Sequence, residues 1–257
     1  MLFACWSPKG GSGTTVVTAA LGLLLARAAP QGALLADLAG DLPTALGVAA
    51  PTGIGLADWL AAGPDVPDDA LGRLEIDAGD QLRLLPWRGA PGAELASSAA
   101  ESGDRASAAE SGDLASAAES GDPALAAAGR GEALAAALSP DPRPVVVDCG
   151  AAATGAALAV AASATVSLLV IRPCYLALRR ALDAPLRPSG VVLVTEEGRS
   201  LGRADVEDVL GVPVRAEIRV DPTVARAVDA GLLAGRLPRS LERALRPALE
   251  AGAREAA

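Results

Sequence analysis

The chain has 257 residues, 51% hydrophobic and 21% charged, which is enough apolar material for one large domain with a sizeable core. Its net charge of −9 excludes a whole-surface attraction to DNA or anionic lipid and leaves room only for a local basic patch. There is no histidine, and Cys5, Cys149 and Cys174 are too scattered for a metal motif, so a zinc centre or a Ser-His or Cys-His triad has no material.

Leu2–Trp6 is a short apolar run that predicts a strand, and the glycine-rich SPKGGSGTT follows it. Residues 16–28 are apolar and of helical length. Lys9 with this run resembles a secretory signal, but apolar residues precede the charge and glycines occupy the start of the would-be hydrophobic region, which argues against export. Residues 33–36 (ALLA), ending at Asp37, predict a second buried strand, Leu56–Ala61 a short helix, and residues 81–85 a third strand stopped by Pro86.

From about residue 94 to 123 the unit ASAAESGD recurs, placing Asp104, Asp113 and Asp122 nine residues apart. That period matches no heptad, each unit carries a glycine, and apart from Leu95 at its start Leu114 is its one large apolar residue, so a flexible acidic surface insertion is expected, with a partner-binding arm as the functional alternative. Replacing residues 96–122 by a short Gly-Ser loop should therefore barely change the melting temperature, since closure entropy varies slowly with loop length. A large destabilisation in a thermal melt would show instead that the segment packs.

Residues 132–138 predict a helix, PVVVDCG a strand ending at Asp148, and residues 166–173 another buried strand. Residues 149–171 carry no charge and are long enough to cross a bilayer, but two-thirds of the segment is mainly Ala, Gly, Ser and Thr. A packed small-residue segment leading into a buried strand is expected, with no transmembrane span. Helix 175–182, strand Gly190–Thr195, helix 205–210, a late edge strand VRAEIRV, and helices 222–230 and 240–249 complete the series, the last broken near Pro247. Alternating strands and helices with continuously apolar strands predict a single α/β domain, a mostly parallel sheet with helices on both faces. Ligands of such sheets bind at the carboxyl ends of the strands.

Three strand ends carry polar residues that can converge there. The loop of Lys9, Gly10, Gly11, Ser12, Gly13, Thr14 and Thr15 enters a helix, so its backbone N–H groups and the positive helix end make an anion cradle. Thr15 stands where a hydroxyl can hold Mg²⁺, and Asp148 ends its strand where a carboxylate can support that metal. Asp37 is expected to face the phosphates.

The P-loop pattern G-x-x-x-x-G-K-[ST] fails twice, with Pro8 for the first Gly and Thr14 for the Lys. Yet KGGSGTT resembles the deviant Walker A loop of the ParA/MinD ATPases, ALLADLAGDLPTALG resembles their switch segment, and GVPVRAEIRVDPTVARAVDAG their late strand and helix. Within that family the likeness is greatest to the CpaE/TadZ branch of Flp pilus assembly, where Thr or Ala often stands at the P-loop lysine. The resemblance implies a P-loop NTPase fold, ATP and Mg²⁺ as ligands, a nucleotide-sandwich homodimer in which Lys9 reaches the partner's phosphates, and a protein partner in envelope or pilus assembly. It implies a cytoplasmic protein, polar or membrane-proximal through that partner. Three departures point to weak or absent hydrolysis: Thr14 removes a cation, Asp37–Leu38–Ala39 lacks the second acid of D-x-D for which Asp41 is the substitute, and the adenine-contacting Asn is replaced around Val194–Thr195.

A pseudo-ATPase scaffold is the alternative, and a Rossmann-like enzyme with Asp37 on a ribose is disfavoured because GGSG lacks the G-x-G-x-x-G spacing. DNA binding and membrane docking through the C-terminal tail are not expected. Glu242 and Glu250 dilute Arg236, Arg239, Arg243 and Arg246, and Pro247 interrupts a tail without Trp or Phe.

Overall fold

The computed structural model describes residues 1–49, 52–62, 66–67, 69–88, 123–151 and 155–255. The predicted acidic insertion lies outside them, apart from Pro123.

In chain order the elements are β1 (Leu2–Trp6), α1 (Thr14–Ala28), β2 (Ala33–Asp37), α2 (Leu42–Leu46), α3 (Leu56–Ala61), α4 (Ala70–Leu74), β3 (Ile76–Asp77), β4 (Leu82–Leu85) and α5 (Pro123–Leu138). Then follow β5 (Val145–Asp148), α6 (Gly155–Ser163), β6 (Val166–Ile171), α7 (Tyr175–Asp183), β7 (Gly190–Thr195), α8 (Arg203–Leu210), β8 (Val214–Arg219), α9 (Pro222–Asp229) and α10 (Arg239–Glu255). The strands lie side by side as β3-β4-β2-β5-β1-β6-β7-β8, parallel except for the short antiparallel β3.

Strands β1, β2, β5 and β6 are buried along their whole length, which is why each reads as an unbroken apolar run. Alternate residues feed two cores. Phe3, Cys5, Leu35, Val146 and Leu168 pack under α1 and α10, while Leu2, Ala4, Trp6, Leu34 and Val147 pack on the opposite face under α5, α6 and α7. Trp6 satisfies its buried indole N–H by donating to Ser167 Oγ at 3.0 Å, a bond whose loss would cost about 1–3 kcal/mol. The register sets Cys5 beside Asp148 and Asp37 beside Asp148, so the carboxyl ends of β1, β2 and β5 finish level. The connection from β1 runs to β2 on one side and that from β5 crosses to β6 on the other, and the crevice at such a reversal is where ligands bind.

Four expectations need correction. The last helix is not broken at Pro247 but runs on to Glu255. An interior proline costs about 3 kcal/mol, and here packing outweighs it: Leu241, Leu245, Ala248 and Ala251 are all buried. Gly252 lies so close to the Phe3 ring that any side chain there would collide with it. Second, the helix expected at 132–138 starts nine residues earlier, at Pro123. Third, the uncharged stretch after Asp148 packs ahead of buried β6 as expected, but it does so as a helix that was not anticipated, α6, whose Ala156, Ala159 and Val160 are buried. Fourth, α2, α4 and β3 were not anticipated, being too short for a periodic signal. No helix of the described residues is long and apolar enough to cross a membrane.

The sheet edge at β8 is sealed locally. Val214 N–H donates to Glu207 Oε1 (2.8 Å) and the Arg203 guanidinium donates to Val214 O (2.6 Å), so α8 occupies groups another strand would use.

Candidate nucleotide site

The loop between β1 and α1 is wound around the Lys9 carbonyl. Ser7 Oγ donates to it at 2.8 Å and Ser12 Oγ at 3.2 Å. Ser7 N–H donates to Gly150 O at 2.9 Å, which clasps the loop to the end of β5. Gly11 and Gly13 have φ of 76° and 90°, a left-handed conformation that side-chain-bearing residues rarely adopt. A Cβ added at Gly10, Gly11 or Gly13 would meet nothing within 4 Å, so the loop borders open space. The α1 N-terminus, with no acidic residue in its first turn, opens onto the same loop. This geometry fits a phosphate chain.

Ser12 and Thr14 are buried, whereas Lys9 and Thr15 are half-buried. Asp148 is fully buried, and its Oδ1 accepts the Gly150 N–H at 3.0 Å. Burial pushes its pKa up to about 6 and the Asp41 charge adds to the rise, while the Thr15 side chain and the Gly150 N–H pull against it. Thr15 thus stands near the carboxylate, yet Oδ2 closes no hydrogen bond of normal geometry and is an orphaned buried oxygen. An orphaned carboxylate oxygen with a hydroxyl beside it fits a hard cation. No group of three or more His, Cys, Asp or Glu stands together among the described residues, so Mg²⁺ here would need phosphate and water for most of its shell.

The structure thus brings together the loop, Thr15, Asp148 and the charge of Asp41. Asp37 has a different place from the one expected. It is fully buried, with Oδ1 accepting the N–H groups of Ala39 (3.1 Å) and Gly40 (2.7 Å) and Oδ2 that of Leu42 (3.1 Å). It therefore holds the 37–42 segment in a turn. Burial first, and then the neighbouring Asp148, push Asp37 up to about 7 against those three bonds. The turn leaves Ala39 and Asp41 exposed, with Ala39 against Gly150. Cys5 is buried, and burial pushes its thiol up to about 12, so it stays protonated.

The sequence reading missed Ser7 and Gly150, whose clasp joins residues 143 positions apart and leaves no local signal. It also missed the charges beyond Thr195. Arg172, at the end of β6, pairs with Glu196 at 3.0 Å, and Arg199 pairs with the same carboxylate at 2.8 Å. Glu196 directly follows Val194–Thr195, where an Asn was expected.

No protein-family model matches the chain, and no curated protein matches it. Solved structures do. The cell division ATPase MinD of Pyrococcus furiosus superposes with a TM-score of 0.67 at 22% identity, over 97% of each chain. The septum site-determining protein MinD of Pyrococcus horikoshii, complexed with Mg-ADP, gives 0.67 at 20% identity over 97% of this chain and 95% of that one. A ParA family ATPase from Chlorobium tepidum gives 0.66 at 17% identity over 95% and 96%. Together with the parallel sheet and the loop after β1, these likenesses establish that the chain has the P-loop NTPase fold of ParA/MinD-type ATPases.

Proposed function

We propose that the chain is a ParA/MinD-like switch that binds ATP and Mg²⁺, dimerises on them, hydrolyses the ATP weakly or not at all, and positions a cell-envelope, pilus-assembly or division apparatus. The observation that carries this reading is the open loop at Gly10, Gly11 and Gly13 beside the orphaned Asp148 Oδ2. The Mg-ADP held by the P. horikoshii MinD lends it support.

The backbone amides of 10–15 would hold the phosphates, and Thr15 and Asp148 the Mg²⁺, which would neutralise phosphate charge. Lys9 would reach the phosphates of the other copy, as the resemblance implies. Asp41 is the acid placed to orient a water, because Ala39 carries none. The CpaE/TadZ branch, a cytoplasmic location and a partner in pilus or envelope assembly belong to this proposal.

Calorimetry with ATP–Mg²⁺ and with NAD tests it. Saturable binding of ATP–Mg²⁺ accompanied by dimer formation in light scattering is expected, and binding of NAD alone would replace this reading by a dinucleotide enzyme. The second reading, a pseudo-ATPase scaffold acting through protein contacts, is favoured by Thr14 and Ala39 together. ATP-dependent dimerisation separates the two, since a scaffold keeps its protein contacts without nucleotide.

A further inference from the structure

A second concave site lies at the outer edge of the sheet, at the amino end of β8, whereas the nucleotide loop leaves the carboxyl end of β1. The cleft has a volume of about 410 Å³ and is lined by four arginines, Arg203, Arg215, Arg243 and Arg254, against one acid, Glu217. In a chain of net charge −9 this is a local reversal of sign.

Two features show that the cleft is shaped by the fold. The pairing of β7 with β8 slips at Val191/Val192, so Arg215 occupies a bulge between Val214 and Ala216. The stem of Arg215 lies on Gly190, where any side chain would collide with it. On α10, the small residues Ala244, Pro247 and Ala251 line the cleft together with Arg243 and Arg254. Those two are eleven positions apart, about 16 Å of helical rise.

The four arginines are not equivalent. Arg203 is engaged by Glu207 at 3.2 Å and by the Val214 carbonyl. Arg246, on the same helix but outside the cleft, pairs with Glu242 at 3.4 Å. Arg243 and Arg254 are exposed and have no ion pair or hydrogen bond among the described residues.

We propose that this cleft is a docking site for an acidic peptide segment of a partner protein, its carboxylates on Arg243 and Arg254 and its backbone over the Ala244–Pro247–Ala251 floor. Guanidinium forks match carboxylates in a bidentate way, and arginine clusters are a recurrent means of reading acidic motifs. A duplex would need a long stripe of phosphate contacts, whereas the cleft is bounded and lined by four arginines, of which Arg203 is already engaged. A lipid surface would need an apolar face on α10, but Leu241 and Leu245 are already buried in the core.

The test uses the full chain and a fluorescein-labelled octaglutamate peptide, followed by anisotropy at low and physiological salt. Saturable, salt-weakened binding is expected for the unaltered protein. The double variant R243E/R254E should lose at least tenfold in affinity, while R239E/R246E should lose less than threefold. The second pair makes the same charge change on exposed residues of the same helix outside the cleft. Circular dichroism and thermal melts check that both variants fold. Absence of saturable binding by the unaltered chain, or equal losses in the two doubles, would overturn the proposal. So would tighter binding to a random-sequence duplex or to anionic phosphatidylglycerol vesicles than to the peptide. None of these readouts involves nucleotide, so they stand apart from the function of the loop at β1.

Discussion

Replacing Thr14 by lysine should tighten ATP–Mg²⁺ binding at least about tenfold, because one charge-assisted contact contributes about 1.5–3 kcal/mol. Thr14 is the first residue of α1, is 6% exposed, and stands directly after the open loop glycines. A lysine there has free space toward the phosphates and little elsewhere. Without an anion its ammonium would sit at the positive end of α1, poorly solvated, so the variant should melt several degrees lower in the absence of nucleotide and regain that stability with it. Turnover should stay slow, since Ala39 still offers no carboxylate. The double change Thr14→Lys with Ala39→Asp should raise it, because position 39 is exposed and lies against Gly150, next to the Asp148 turn. Calorimetric binding and phosphate release on the parent and both variants check this. If Thr14→Lys binds ATP no better than the parent, the loop is not a latent nucleotide site. Hydrolysis by the parent at a brisk rate would instead mean that Lys9 or Asp41 fills the missing roles.

Asp148→Asn should stabilise the protein at alkaline pH while removing the effect of Mg²⁺. Asp148 has a folded pKa of about 6 and Asp37 of about 7, both above the ordinary carboxylate value. Groups with a raised folded pKa bind protons more tightly in the folded than in the unfolded chain. Their contribution is therefore fully present below about pH 4 and is lost as pH rises to about 7, the opposite of the usual acid denaturation. Asn keeps an acceptor for the Gly150 N–H and has no charge to bury beside Asp37. Its gain over the parent should grow from near zero at pH 4 to about 3 kcal/mol at pH 8, an order-of-magnitude figure from a shift of about two pKa units. Urea titrations of both proteins across that range measure it. In the same variant, added Mg²⁺ should no longer deepen the stabilisation by ATP, because the orphaned oxygen is gone. A parent that gains stability between pH 4 and 7 relative to Asp148→Asn would show that the carboxylate is not buried as described.

The sequence by itself was enough for the sheet, the order of its main elements and the place of the loop. A strand buried on both faces must be an unbroken apolar run, and glycines or prolines mark where it ends, so Leu2–Trp6 and Gly190–Thr195 were legible to the residue. The loop was legible because left-handed backbone at Gly11 and Gly13 demands glycine, a requirement written at the position itself. Long-range contacts decided the rest. Pro247 reads as a helix breaker until the buried Leu245, Ala248 and Ala251 on the same helix outweigh it. Asp37 reads as an acid facing a ligand until the N–H groups of Ala39, Gly40 and Leu42 turn onto it. The clasp of Ser7 on Gly150 and the arginine cleft join residues distant along the chain, through side chains that carry no local preference for those partners. Conformational preference is local and can be read one position at a time, whereas desolvation and hydrogen-bond satisfaction depend on which surfaces the fold brings together, and only the tertiary structure settles that.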